Sequence, residues 1–171
     1  GDFLMTDLGS SNGTYLKIDE RHTLKKNDLF MIGNTNLFRV NYATAPSGKC
    51  EDPLLSTQAL GGVLKGQSIK NFTRADDSQK RECIRKKLVL GRKKTNCYIN
   101  DPTLSSSHCQ IDFIEKRKSW TIRDLDSHNG TWVGLADFPA LKESKPSKAH
   151  RLNVDNVIKI DKLKFKVAAC Q

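Results

Sequence analysis

The chain has 171 residues and a formal net charge of +10, with 29 Lys and Arg against 19 Asp and Glu. That length holds one ordinary domain, or one complete and one partial small one, and no run approaches the roughly 18 apolar residues that span a bilayer, so no membrane partner is expected. The basic balance favours acidic partners such as phosphopeptides, nucleic acids or anionic surfaces.

The first elements in chain order are β-like runs at Phe3-Leu4-Met5-Thr6, 14–18, Leu29-Phe30-Met31-Ile32 and 37–42, with Gly33-Asn34 as a turn between the last two. Residues 44–53 have linker composition, Pro46, Gly48 and Pro53 among them. A strand is expected at 54–60, a turn at 61–67, a polar loop at 71–79, and a strand at 82–90 leading into Gly91-Arg92. Two further runs, 111–114 and 120–124, read as a hairpin around Lys116-Arg117-Lys118-Ser119. The chain closes with Val157-Ile158-Lys159-Ile160 and 163–167, which alternate with period two. A helix of four turns is nowhere indicated, so the class is all-β.

Charge and cysteine usage narrow the reading. Lys80, Arg81, Arg85, Lys86, Lys87, Arg92, Lys93 and Lys94 stand against Glu82 alone, and Lys142, Lys145, Lys148 and Arg151 form a second basic set. The five cysteines are Cys50, Cys83, Cys97, Cys109 and Cys170. An odd number without a Cys-x-x-Cys pair points away from a zinc site or disulfide framework and towards a reducing compartment. The opening Gly1-Asp2-Phe3 carries no basic stretch before an apolar one, so no secretory signal is expected, and a start at Gly is expected of a fragment.

One short pattern occurs twice. Asp7-Leu8-Gly9-Ser10-Ser11-Asn12-Gly13-Thr14-Tyr15-Leu16 returns 117 residues later as Asp124-Leu125-Asp126-Ser127-His128-Asn129-Gly130-Thr131-Trp132-Val133. Each copy reads as strand, Asn-Gly turn, strand, followed by the same closing hairpin. Gly91-Arg92 and Ser105-Ser106-Ser107-His108 precede the second copy only.

In this order and spacing, over about residues 52–171, the motifs resemble those of the forkhead-associated (FHA) family. The resemblance implies a β-sandwich of about eleven strands with binding loops at one end. It divides the chain into the C-terminal half of one such domain at 1–43, a linker at 44–53 and a complete domain at 54–171. Four short strands cannot bury both faces of a sandwich. The missing half therefore lies upstream, comes from another chain, or is replaced by packing on the second domain.

The resemblance also assigns roles. A phosphate dianion needs several converging donors and a fixed positive charge, and Arg92 supplies the charge through a guanidinium fork suited to its oxygens. Ser105 donates its hydroxyl, and Ser106 stands where the family often has a longer polar side chain. Asn129 holds the ligand's main chain beside the phosphothreonine, and His128 occupies a place usually taken by a small hydroxyl residue. Protonated it adds charge, and neutral it adds bulk. Gly91, His108 and Gly130 support the site, His108 by bracing the Ser105 loop and Gly130 by the positive φ of its turn. Taken without the motifs, Arg92 reads as one of a basic surface, and the serines as ordinary loop.

Val157 follows Val133 by 24 positions, whereas Leu29 follows Leu16 by 13. The second copy thus carries an insertion of 11 residues, either a recognition loop or a solvated excursion.

Three functions compete. The resemblance implies a phosphothreonine-peptide reader that recruits phosphorylated proteins. A structural fragment of a larger assembly, docking other subunits with a degenerate pocket, is the alternative. Nucleic-acid binding ranks behind both, because Trp120 and Trp132 sit in strand contexts rather than on a stacking platform. No enzyme is expected, since Ser105 and His108 lack an oriented carboxylate and no phosphate loop, dinucleotide fingerprint, metal cluster or cofactor motif is present. The family's usual locations are nucleus and cytoplasm, with a cytoskeletal or ciliary assembly also open.

Overall fold

A computed structural model describes residues 3–47, 52–74, 81–93 and 95–169. The first segment supplies β1 (Phe3–Met5), β2 (Thr14–Lys17), β3 (His22–Thr23), β4 (Leu29–Ile32) and β5 (Asn36–Thr44). After residues 45–53 come β6 (Leu54–Ala59), β7 (Ser68–Lys70), β8 (Phe72–Arg74), β9 (Arg81–Ile84), β10 (Lys87–Gly91) and β11 (Cys97–Tyr98). The remainder forms β12 (Cys109–Ile114), β13 (Ser119–Asp124), β14 (Thr131–Gly134), α1 (Phe138–Lys142), β15 (His150–Leu152), β16 (Val157–Ile160) and β17 (Leu163–Lys166). The architecture is all-β, as the alternation and turn signals predict.

Two local expectations change. The polar stretch 71–79 contributes β8, which pairs with β9, while 75–79 lie outside the described residues. The strand expected at 82–90 breaks at Arg85-Lys86. There the buried Asn71 side chain donates to the Arg85 and Pro53 carbonyls and accepts from the Leu55 N–H, while Arg85 N–H donates to the Asn71 carbonyl. With every polar group of Asn71 used on three segments, the chain is pinned between two separate pairings.

A five-stranded sheet, β11-β10-β12-β13-β3, faces an eight-stranded one, β17-β16-β2-β14-β4-β5-β6-β7. Their pairings are antiparallel except β10 with β11. Between them lie Phe30, Phe38, Leu55, Leu88, Leu90, Ile111, Trp120 and Ile122, all essentially without exposure. Phe30 stacks on Phe38 with centroids 5.1 Å apart, and Phe113 meets Trp120 edge-on at 5.6 Å. A second apolar cluster, Tyr15, Leu29, Met31 and Trp132, lies on the other face of the larger sheet and is covered by Phe138 and Leu141 of α1.

The composition break at 44–53, of which 48–51 lie outside the described residues, does not separate two sets of sheets. Strands from either side of it are interleaved: β3 pairs with β13, β4 with β14 and β5 with β6. In turn β1 pairs with β15, and β2 with both β14 and β16. The sandwich over 54–134 is thus closed by the first segment, and not by the strands that follow β14 in sequence.

Candidate functional site

The site is built where β10 ends. Gly91 is required there by close approach, since a Cβ would come within 2.5 Å of the Ser106 carbonyl oxygen and 3.0 Å of the Ser105 carbonyl oxygen and His108 N. That approach lets Arg92 N–H donate to the Ser105 carbonyl at 3.0 Å and Lys93 N–H to that of Ser106 at 2.9 Å. Arg92 is half-buried, and its Nε is shielded from solvent with no hydrogen-bond acceptor among the described residues. A desolvated donor on a cation is held ready for an anion.

His108 organises the loop from beneath and has no exposure. Its N–H donates to the Leu90 carbonyl, and its Nδ1 accepts the Ser105 N–H at 3.2 Å. With Nδ1 an acceptor, the proton belongs on Nε2, which donates to the Gly130 carbonyl at 2.8 Å. Gly33 N lies 3.2 Å from Nε2 and 3.3 Å from the same carbonyl. A protonated nitrogen cannot accept, so the Gly33 N–H belongs to the carbonyl. Burial holds the imidazole's pKa below its ordinary value despite the Gly130 hydrogen bond and the carboxylates of Asp124 and Asp101. The ring is a neutral brace tying the Ser105 loop to the Asn-Gly turn.

That turn is fixed from its own start. Asp124 accepts from Ser127 N–H at 2.8 Å, Ser127 Oγ at 2.5 Å and Thr131 Oγ1 at 2.6 Å, and Gly130 N–H donates to Ser127 Oγ at 3.0 Å. Gly130 has φ +83°, a conformation that favours glycine. His128 is exposed, and its N–H donates to Ser105 Oγ at 3.0 Å, leaving the hydroxyl proton of Ser105 free to point outward. Asn129 Nδ2 donates to the Thr103 carbonyl at 2.7 Å, and its own carbonyl accepts Trp132 Nε1 at 3.0 Å. The residues Arg92, Ser105, Ser106, His128 and Asn129 are thereby drawn from three loops to one end of the sandwich. Ser106 is exposed, like His128, and engaged through its backbone carbonyl.

Several supporting residues escaped the sequence reading. Asp101 accepts from the N–H and hydroxyl of Thr103, both at 2.8 Å, and from Asn36 Nδ2 at 2.5 Å. Burial pushes its carboxyl up, but those bonds more than offset it and hold the pKa below the ordinary value. Asp-Pro-Thr was a legible turn signal. Its partner Asn36 was not legible, because it belongs to the first segment. The turn at Gly33 also packs beneath the site, where a Cβ would meet Leu104 at 2.7 Å and Thr103 Oγ1 at 2.9 Å.

The first Asn-Gly copy repeats the turn chemistry alone. Asp7 accepts from Gly9 N–H, Ser10 N–H, Ser10 Oγ and Thr14 Oγ1 at 2.5–2.9 Å, and Gly13 has φ +78°. No Arg or Ser-x-x-His loop accompanies Asn12 among the described residues. The insertion holds α1, whose N-cap Asp137 accepts from Ala140 N–H, a signal readable in Asp137-Phe138-Pro139. A cleft of about 660 Å³ beside it is lined by His22, Lys25, Asp28, Asp137 and His150 among others, with both charge signs mixed and away from the Arg92 loops.

The family model of the FHA domain matches residues 88–161, from β10 through the end of β16, and so covers every residue of the Arg92–Asn129 site. No curated protein and no solved structure matches the chain.

Proposed function

We propose that this chain is a phosphothreonine-dependent protein-interaction module, binding an extended peptide across the loops that carry Arg92, Ser105 and Asn129. FHA domains in general bind phosphorylated proteins and perform no chemistry on them, and residues 88–161 carry that match. The observation that carries the reading is the pairing of a desolvated, unpartnered guanidinium nitrogen on Arg92 with a Ser105 loop held by a neutral buried His108.

The physical logic is electrostatic. A phosphate brings close to two negative charges and several acceptor oxygens. Arg92 offers the fork, Ser105 the hydroxyl proton, and Asn129, fixed through its Nδ2, presents its side-chain oxygen to a peptide N–H. His128 and Ser106 form the outer lip, where they modulate grip rather than create it. Charge-assisted bonds are roughly twice as strong as neutral ones, so binding depends on the mark.

A phosphothreonine peptide library titrated against the chain tests this. Micromolar binding is expected, lost with unphosphorylated peptides and with Arg92→Ala; absence of binding to any member defeats it. That negative result would favour the second reading, a scaffold subunit with a degenerate pocket, for which the exposed short Ser106 and the bulky His128 at the lip speak.

A further inference from the structure

The two copies of the repeat exchange their closing strands. Aligning Asp7 with Asp124 makes Met5, Tyr15 and Leu16 equivalent to Ile122, Trp132 and Val133. In the closed sandwich Ile122 pairs with His22, Trp132 with Met31 and Val133 with Phe30. On the other side Met5 pairs with His150, Tyr15 with Lys159 and Leu16 with Ile158. The hairpins match as well, with Phe30↔Phe38 in one and Ile158↔Phe165 in the other. Each closing set thus sits on the opposite copy in an equivalent register. Val133 and Leu16, equivalent to each other, pair directly where β14 meets β2, as expected at a local two-fold.

An apolar row therefore runs across one face of the larger sheet, from Ala59 through Phe38, Phe30, Val133, Leu16 and Ile158 to Phe165. The five-stranded sheet covers its first part; at the far end Ile158 is still buried at 7% but Phe165 is not. Phe165 is 49% exposed where its equivalent Phe38 is 0%, Ile160 is 39% where Ile32 is 0%, and Phe3 is 50% where Trp120 is 1%. Period-two alternation puts Lys164 on the other face, 5.4 Å from the Trp132 ring, which fixes the side on which Phe165 stands. These exposed residues stand at positions whose equivalents are interior in the closed unit.

We propose that the face formed by β1, β2 and β15–β17 docks a strand-rich polypeptide half of the same make as residues 54–118. In the closed unit that half supplies β6 along the edge of β5 and β12 along the edge of β13, and it lays Leu88, Leu90 and Ile111 over the apolar row. The equivalent edges, β17 and β1, are ends of their sheets, unpaired among the described residues. A second copy of this chain cannot satisfy them by exchange. Each copy carries two closing sets, β3–β5 and β15–β17, but one set β6–β12, so copies alone always leave faces open. The proposal is independent of the phosphopeptide reading, because the face lies on strands that contribute nothing to the Arg92 loops.

The test co-expresses the full chain with a separately tagged polypeptide of residues 54–118 and reads the captured complex by native mass spectrometry. A 1:1 complex is expected, with capture reduced at least tenfold by Phe165→Lys or Ile160→Lys in the full chain and unchanged by Arg92→Ala. Both lysine variants replace exposed side chains, and an unchanged melting temperature verifies that the closed unit is intact. Three outcomes overturn the proposal: no complex; a complex indifferent to both lysine variants, which means that the probe displaces β6–β12 of the full chain; or self-association of the full chain that Phe165→Lys abolishes, which assigns the face to a second copy.

Discussion

His108 and Gly91 show how single residues set the loop without touching a ligand. The imidazole is neutral in the folded protein because burial depresses its pKa, and His22 is depressed by burial in the same direction. An unfolded histidine takes up a proton near pH 6.5. The stabilisation from both groups is complete above that value and declines as pH falls through it, because the unfolded chain then binds the protons. Urea melts between pH 7.5 and 5 are expected to show this decline, with a shallower slope in His108→Gln, where His22 alone remains. Further loss is expected nearer pH 4 and below, as the depressed carboxyls of Asp7 and Asp101 protonate. Gly91→Ala places a methyl against backbone oxygens rather than a yielding side chain. We expect it to cost about 1–3 kcal/mol by overpacking and to weaken phosphopeptide binding as well, checked by paired thermal melts and titration.

At the scale of the element, the duplicated Asp-to-Thr turn offers an internal control. Asp124 and Asp7 each hold a Ser hydroxyl, a Thr hydroxyl and backbone N–H, one for Asp124 and two for Asp7. Truncating either to Ala leaves buried donors unpaired, at about 1–3 kcal/mol each. Asp124→Ala is expected to lower both stability and phosphopeptide affinity, whereas Asp7→Ala lowers stability alone, since no Arg92 equivalent stands beside its turn; calorimetric titration of the two variants checks the contrast. The turns were legible from Asn-Gly and its flanking alternation. The two-residue strands β3 and β11 were not, because they exist through pairing with β13 and β10 rather than through propensity. The Lys-, Ser- and Pro-rich insertion hid α1 for a related reason. A helix of five residues is held by its Asp137 cap and by Phe138 and Leu141 against the outer cluster, with Arg39 lying 4.1 Å over the Phe138 ring.

For the whole molecule, interleaving makes the first segment part of the closed core. Phe30, Ile32, Phe38 and Val40 all come from it and have no exposure; burying one such side chain contributes about 1.5–3 kcal/mol. Chemical denaturation followed by tryptophan fluorescence and far-ultraviolet circular dichroism is therefore expected to give one coincident transition. Two separated transitions would mean that residues 1–43 fold as a unit of their own. Proteolytic cleavage within 45–53 is likewise expected to leave both pieces eluting together from a sizing column, because β5 remains paired to β6 along its length.

The sequence by itself determined the all-β class, the positions of most longer strands and the duplicated turn, and it singled out Arg92, Ser105, His108 and Asn129, which the fold brings to one end of the sandwich. All of these rest on alternation, turn chemistry and motif order, which are local or nearly so. Which closing strands complete which half was decided only by the tertiary structure. The two sets β3–β5 and β15–β17 share the same pattern and offer the same register, so nothing in either segment alone chooses between them. The choice lies in side chains brought together from afar: Phe30, Ile32 and Phe38 fill the closed interior, where the other set offers Ile158, Ile160 and Phe165, and Asn36 reaches Asp101 beneath the Ser105 loop where the other set has Leu163. Larger apolar volume and a satisfied buried hydrogen bond favour the first set, and neither is visible until the chain has folded back on itself.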